Sequence, residues 1–233
     1  MSLKKWIDSA NNAIEGILTA AKNECHVRYH LYAAAVVLLF SYASGVSADE
    51  FLIISILTIF VITTELLNTA IETVVDIVSP QVSEHARVAK DVAAGAVLIS
   101  AVGSAVIGYI ILFPYLVSFF KRGLSITSHG GNEVAVLSVI IVLILVVLIK
   151  SLTASEGRPL RGGMPSGHAA VSFSVWVSIT VITQNLVVSV LSFIGAAAIA
   201  NSRVESKIHT VWEVIAGALL GIIATYLLFI IFT

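Results

Sequence analysis

The chain has 233 residues, of which 58% are hydrophobic and 12% are charged, and its mean hydropathy is +1.01. Soluble domains carry about 25% charged residues, so this composition excludes an ordinary globular protein, a disordered chain and a nucleic-acid-binding protein. The net charge of −1 favours no class of partner, and the one cysteine, Cys25, cannot form an internal disulfide. The composition therefore predicts a protein whose main solvent is lipid.

The first thirty residues are amphipathic. Apolar side chains recur at helical spacing from Trp6 to Ala21, and Asp8 and Glu15 interrupt them, which excludes a secretory signal peptide. This pattern predicts a helix that lies in the membrane interface. A helix that packs on the protein's own bundle fits the same pattern, and both interpretations stay open here.

The rest of the chain predicts an all-α integral membrane protein with seven transmembrane helices. A spanning helix needs about 20 mostly apolar residues, and transmembrane β-strands would alternate in polarity, which the apolar runs of this chain do not. The fifth and sixth runs are short, so a re-entrant pair is the alternative there. The seven predicted spans are residues 31–47, 51–76, 92–117, 132–150, 168–184, 186–201 and 210–232.

The distribution of basic residues predicts the orientation. With the N-terminus inside, eleven lysines and arginines face the cytoplasm, and the remaining two, Lys121 and Arg122, face outward. We therefore expect a multi-pass protein of the bacterial cytoplasmic membrane with a cytoplasmic N-terminus. The polar segment 118–131 predicts a linker between domains at 1–117 and 132–233.

Polar residues interrupt the second predicted span. Glu65, Asn68, Glu72 and Asp76 follow each other at spacings of three, four and four, which places them on one stripe of a helix. Three carboxylates on a membrane helix repel each other unless a cation lies among them, and Mg²⁺ takes one or two carboxylates together with phosphate oxygens. Polar contacts between helices and a cation or proton pathway are the other interpretations.

These residues belong to three motifs that resemble the prokaryotic diacylglycerol kinase family over residues 10–117. The motifs are G-I-L-T-A-A-K-N-E from Gly16, E-x-x-N-T-A-I-E-x-x-x-D from Glu65 and K-D-V-A-A-G-A-V from Lys90. One residue departs from the pattern, because His30 stands where an acidic residue is expected after the position of Arg28.

The resemblance implies a three-span homotrimer that uses MgATP to phosphorylate a lipid alcohol, either diacylglycerol or undecaprenol. It implies Glu65 as the base that takes the hydroxyl proton. It also implies that Mg²⁺ is held by Glu24 and Glu72, and that the nucleotide is surrounded by Asn68, Asp76, Lys90 and Asp91.

A second set of polar residues lies at helix ends in the C-terminal part. Lysine and arginine there can bond phosphate oxygens, and the segment Pro165-Ser166-Gly167-His168 precedes a helix whose first amides favour an anion. His209 and Glu213 are four residues apart, so the carboxylate can orient the imidazole. Basic residues that merely anchor helix ends are the alternative, and that reading leaves both histidines unexplained.

This set resembles the type 2 phosphatidic acid phosphatase family over about 145–225, with the signature K-x6-R-P, P-S-G-H and S-R-x5-H-x3-D. The resemblance implies a phosphatase without a metal cofactor, with His209 as the nucleophile that forms a phosphohistidine, His168 as the acid and Glu213 beside His209. It implies that phosphate is bound by Lys150, Arg158, Ser166, Gly167 and Arg203. Two departures are the seven residues between Lys150 and Arg158, and glutamate in place of aspartate at 213.

Together the two resemblances predict a bifunctional enzyme, a lipid kinase fused to a lipid phosphatase, with membrane lipids and ATP as its partners. Two predicted crossings separate Lys90 from Arg158, which predicts that both active sites open on the cytoplasmic face. A kinase with an inactive phosphatase-like unit and a membrane transporter of cations or lipids are the alternatives.

Overall fold

The structure is a computed structural model that describes residues 3–81, 83–123, 126–153 and 163–233. These residues form eight α-helices and no strand, which confirms the predicted all-α class. The helices are α1 (Leu3–Asn23), α2 (Cys25–Ala43), α3 (Ala48–Val78), α4 (Glu84–Arg122), α5 (Gly131–Thr153), α6 (Gly167–Thr183), α7 (Leu186–Glu205) and α8 (Val211–Phe232).

Within the described ranges, five helices are long and apolar enough to cross a membrane: α3, α4, α5, α7 and α8. Several helix ends differ from the apolar runs because capping side chains set them. Ser47 accepts a hydrogen bond from the backbone of Glu50 and caps α3, which therefore starts at Ala48, before the predicted 51. α2 ends at Ala43, before the predicted 47. Ser83 caps α4, which begins eight residues before the predicted span at 92.

The chain forms two compact units. One is Glu24–Thr127, and the other combines Met1–Asn23 with Ser128–Thr233. The predicted linker 118–131 contains the position where the first unit gives way to the second. In the second unit α1 packs on α5, with Leu18 and Ala21 of α1 buried and Trp6 and Ile14 exposed.

Polar contacts join α3 to α4 in the unit Glu24–Thr127. The Tyr115 hydroxyl donates to Glu50 Oε2 over 2.8 Å, and the hydroxyl oxygens of Thr64 and Ser100 are 2.7 Å apart. Apolar helices gain little by leaving lipid for each other, so such bonds and close packing hold them together. α2 completes this unit by packing on α3.

In the other unit α6 lies against α5, α7 and α8. The contact with α8 is close because Gly217 and Gly221 face the backbone of α6. A Cβ atom at these glycines would overlap the carbonyl oxygens of Ser166 and Ala170. A buried hydrogen bond of 2.6 Å between the hydroxyls of Ser174 and Thr225 fixes the same pair of helices. The start of α6 is therefore held in place by α8.

We expect Gly217→Ala to destabilise the protein by about 1–3 kcal/mol, because its methyl group overlaps backbone that cannot move aside like a side chain. Gly195→Ala on α7 is the matched control, since none of the described residues lies within 4 Å of its Cβ position. Thermal unfolding in detergent measures both variants. Equal transition temperatures for Gly217→Ala and the wild type would contradict the close α6–α8 packing.

Candidate active sites

The four polar residues of the stripe all lie on α3, which is a continuous helix from Ala48 to Val78. Their exposure increases toward the end of the helix. Glu65 is buried at 5% exposure, Asn68 and Glu72 are half-buried, and Asp76 is exposed. The stripe therefore runs from the interior of the unit to its surface.

Asn68 and Glu72 form the middle of this stripe. Asn68 Nδ2 donates to Glu72 Oε1 over 3.1 Å, and Asn68 Oδ1 is buried without a hydrogen-bond partner among the described residues. Amide and carboxylate oxygens are the ligands that Mg²⁺ takes, and Mg²⁺ needs only one or two protein carboxylates because water and phosphate complete its shell. No group of three or more His, Cys, Asp or Glu side chains gathers in the described ranges. The donor set at Asn68 and Glu72 fits Mg²⁺ bound together with phosphates.

Glu24, the other predicted metal ligand, is half-buried at the N-cap position of α2. Its side chain forms no capping hydrogen bond within the described part of the chain.

Lys90 reaches the stripe from α4. Its ammonium nitrogen lies 2.5 Å from Asp76 Oδ1, and it also interacts electrostatically with Glu72. Asp91 instead pairs with Arg87 Nη1 over 2.7 Å on the exposed face of α4. Sequence reasoning gave no role to Arg87, although its spacing of four residues from Asp91 is typical of a helical ion pair.

His30, the residue that departs from the kinase pattern, lies beside Glu65. Its Nε2 atom is 3.9 Å from Glu65 Oε2. His30 also lines a cavity of about 320 Å³ between α2, α3 and α4, and the lining of this cavity is mostly apolar. Representative lining residues are Val37, Ile54, Val61, Ala105 and Leu112.

The second candidate site begins at Ser166, the N-cap residue of α6. Its backbone N–H donates to the carbonyl oxygen of Glu213 over 2.9 Å. The side chain is fully buried, and Ser166 Oγ has no hydrogen-bond partner within the ranges that the structure describes. Gly167 follows as the first residue of α6, with its Cβ position 3.2 Å from Val146. A buried hydroxyl at a helix N-terminus is suited to an anion.

The buried His209 and the half-buried Glu213 form a pair at the start of α8. His209 Nδ1 is 2.9 Å from Glu213 Oε2, and the backbone N–H of Thr210 donates to the same oxygen over 3.0 Å. Thr210 and Glu213 form a capping box, in which the Glu213 side chain accepts a hydrogen bond from the backbone N–H of Thr210. Glutamate in place of aspartate therefore keeps the bond to His209 and also caps the helix.

The environment of His209 sets its protonation. Burial lowers the pKa of His209 below the usual value for histidine, and the hydrogen bond with Glu213 partly opposes this effect. The positive charges of Lys150 and Arg203 lower the pKa of His209 further. The neutral imidazole is therefore favoured.

Three more predicted residues surround this pair. Lys150, at the end of α5, is buried at 7% exposure and interacts electrostatically with Glu213 and both histidines. His168 is exposed on the first turn of α6. Arg203 interacts with both histidines, and its buried Nε atom has no partner among the residues described. Arg158 lies outside the described residues.

The N-terminal part of the chain is similar to known kinases. The family model of prokaryotic diacylglycerol kinase matches residues 11–112. The undecaprenol kinase of Bacillus subtilis (strain 168) is 39% identical over 114 residues, which cover 49% of this chain and 93% of that enzyme. The chain belongs to the prokaryotic diacylglycerol kinase family.

Two diacylglycerol kinases are further relatives of this family member. The one from Synechocystis is 34% identical over 104 residues, which cover 44% of this chain and 59% of the relative. The one from Haemophilus influenzae is 30% identical over 98 residues, which cover 42% of this chain and 83% of the relative. No solved structure gives a significant match.

The C-terminal part of this kinase-family chain matches a second family model, that of the PAP2 superfamily, over residues 149–233. Both predicted resemblances are thus confirmed. The chain is a lipid kinase unit fused to a lipid phosphatase unit, as the sequence predicted.

The lowered pKa of His209 predicts the pH dependence of phosphatase activity. With His209 as the predicted nucleophile, its imidazole has to be unprotonated, so we expect activity to fall as the pH drops through this pKa, which lies below the usual value of about 6.5. Because the bond with Glu213 raises this pKa, Glu213→Gln moves the acid limb of kcat/KM to lower pH, and it lowers kcat by about 10²- to 10⁴-fold.

Glu205→Gln, on exposed α7 surface, is the matched control and leaves both quantities unchanged. An acid limb that moves to higher pH in Glu213→Gln would contradict this assignment.

Proposed function

We propose that the N-terminal unit transfers the γ-phosphoryl group of ATP to a lipid alcohol, and that the C-terminal unit hydrolyses a lipid phosphate or diphosphate through a phosphohistidine. The observation that supports this proposal is that each family unit combines a buried ionisable side chain with buried polar atoms that have no hydrogen-bond partner among the described residues. Glu65 is buried beside an apolar cavity, and Asn68 Oδ1 lies on the same helix stripe. His209 is buried and pairs with the half-buried Glu213, and the unpartnered atoms of this unit include Ser166 Oγ and Arg203 Nε.

In the kinase unit Glu65 takes the hydroxyl proton of the lipid alcohol. Its low exposure keeps water from competing for the carboxylate. Asn68 and Glu72, with Glu24 as a further ligand, would hold Mg²⁺, which supplies positive charge against the phosphates of ATP when bound. Lys90, Asp76 and Asp91 surround the nucleotide, and the pairing of Lys90 with Asp76 keeps the lysine at the stripe.

The cavity between α2, α3 and α4 supports a lipid substrate. Its apolar walls suit a hydrocarbon tail, and His30 places one part of the cavity next to Glu65. We take undecaprenol as the first candidate alcohol, because the undecaprenol kinase relative has 39% identity, against 34% and 30% for the diacylglycerol kinases. Diacylglycerol is the second candidate.

In the phosphatase unit His209 Nε2 attacks phosphorus while Glu213 holds the opposite ring nitrogen. The leaving oxygen takes its proton from His168. The phosphoryl oxygens are bound by Ser166, Gly167, Lys150, Arg203 and Arg158. Water then hydrolyses the phosphohistidine, and this cycle uses no metal.

The two reactions are best understood as convergent, which means that both yield the same lipid product. A kinase and a phosphatase acting on the same alcohol and its monophosphate would only hydrolyse ATP. Phosphorylation of undecaprenol and hydrolysis of its diphosphate would instead both produce undecaprenyl phosphate. A diacylglycerol kinase beside a phosphatase for another phospholipid, such as phosphatidylglycerophosphate, is the competing arrangement.

We also propose seven crossings, a cytoplasmic N-terminus and both active sites on the cytoplasmic face. α2 and α6, with 19 and 17 residues, complete the seven, because both lengths lie within the spanning range of about 17–25 residues. The distribution of basic residues supports this orientation. α1 lies at the cytoplasmic interface, and the kinase unit assembles as a homotrimer.

Separate loss of the two activities tests the proposed function. Glu65→Gln should lower lipid phosphorylation at least 10³-fold and leave phosphate release intact, because only the kinase base is removed. His209→Ala should abolish phosphate release and leave the kinase rate unchanged. Radiolabelled lipid and released inorganic phosphate measure the two reactions.

Asp49→Asn, exposed at the opposite end of α3, and His85→Ala, exposed on α4, are the matched controls. Kinase activity retained by Glu65→Gln would refute the role of Glu65 as the base. Phosphate release that is absent from the wild type on every lipid phosphate would leave a kinase with an inactive phosphatase-like unit. Liposome flux without ATP turnover would favour the transporter.

A substrate screen of the purified chain distinguishes the lipids. Both alcohols are offered with MgATP, and mono- and diphosphate lipids are offered without metal. Convergence predicts activity on undecaprenol and on its diphosphate. No activity on any undecaprenyl substrate would refute it.

Cysteine labelling tests the proposed orientation. In a Cys25→Ser background, Gln81→Cys and Ser206→Cys lie in exposed loops that we place inside, and Ser128→Cys lies in an exposed loop that we place outside. An impermeant thiol reagent applied to spheroplasts should label only Ser128→Cys. Labelling of Gln81→Cys and Ser206→Cys from outside would reverse the orientation.

A further inference from the structure

His30 and Glu65 face each other across a gap that is too long for a direct hydrogen bond. His30 Nε2 and Glu65 Oε2 are 3.9 Å apart, whereas such a bond needs about 2.7–3.2 Å. The side chains are 26% and 7% exposed. The two side chains are thus largely shielded from water, but they are not hydrogen-bonded to each other.

The width of this gap matches one hydroxyl oxygen. An oxygen atom at about 2.8 Å from both His30 Nε2 and Glu65 Oε2 would have an angle of about 90° between its two contacts, about 20° less than the tetrahedral angle of a hydroxyl. An imidazole N–H can donate to that oxygen, and the carboxylate can accept its proton. The acidic residue that the family pattern leads one to expect here would offer a second acceptor when ionised.

The apolar cavity lies next to the gap between His30 and Glu65. His30 belongs both to this pair and to the cavity wall, and Val61 and Ile62, just before Glu65 on α3, line the wall as well. A hydrocarbon tail held in this cavity would bring its terminal hydroxyl to the His30–Glu65 gap.

We propose that His30 is a further catalytic residue of the kinase unit, which donates a hydrogen bond to the hydroxyl oxygen of the lipid alcohol while Glu65 takes its proton. This inference rests on the proposed kinase function. The O–H bond breaks and its proton moves to Glu65 Oε2, while the oxygen electron pair forms the bond to the γ-phosphorus. The bond from the γ-phosphorus to the bridging oxygen breaks, and ADP leaves with that electron pair. His30 keeps its own proton throughout and stabilises the negative charge that develops on the attacking oxygen.

The test uses the full chain with undecaprenol, or with diacylglycerol if only that alcohol is phosphorylated. His30→Ala should lower kcat/KM for the alcohol by about 10²- to 10³-fold, as the loss of one preorganised donor does, without a change in the KM for MgATP. His30→Gln, which keeps an N–H donor, should recover part of the loss, and added imidazole should rescue His30→Ala. The unchanged KM for MgATP reports that the kinase unit of each variant is folded.

His26→Ala is the matched control, because His26 is exposed on the same helix one turn earlier, and it should change neither reaction. Unchanged alcohol kinetics in His30→Ala, or a loss that neither glutamine nor imidazole rescues, would overturn the inference and indicate no role or a purely structural one. If Glu65→Gln abolishes phosphorylation and His30→Ala does not, the proposed kinase function stands and only this inference fails. A wild-type chain that phosphorylates no lipid alcohol would overturn both.

Discussion

The structure depends on how an apolar helical bundle compensates buried charge. An ionisable side chain at the centre of a membrane helix costs about 2.5–3.5 kcal/mol on insertion scales, so it is retained only with a partner or a function. Glu65, Lys150 and His209 are all at most 8% exposed. Glu213 compensates His209 directly, whereas Glu65 has His30 only at 3.9 Å. An open gap of this kind is the feature expected where a substrate supplies the missing contact.

In both units a contact with a neighbouring helix fixes the polar cluster. In the kinase unit this contact is the ion pair of Lys90 with Asp76. In the other unit it is the hydrogen bond from the backbone N–H of Ser166 to the carbonyl oxygen of Glu213. Small residues allow the second contact, because Gly217 brings α8 against the start of α6. Packing that excludes lipid therefore also places the groups that we propose to bind phosphate.

The sequence predicted the helical class, the polar stripe of α3 and the His209–Glu213 pair, because apolar length and spacings of three and four follow directly from helix geometry. It left the environment of α1 open, since an amphipathic face suits either lipid or protein, and the structure packs α1 on α5. The capping role of Glu213 was not visible either, because the capping box depends on backbone geometry. His30 was noticed only as a departure, since its proximity to Glu65 joins residues 35 positions apart.

The most direct test of these site assignments is an experimental structure of the full chain with Mg²⁺, a non-hydrolysable ATP analogue and orthovanadate. We predict a metal ion about 2.0–2.1 Å from a Glu72 oxygen, with vanadate on His209 Nε2 and within reach of Ser166 and Arg203. Nucleotide bound away from the α3 stripe, or vanadate absent from His209 while these side chains face only hydrocarbon, would contradict these assignments.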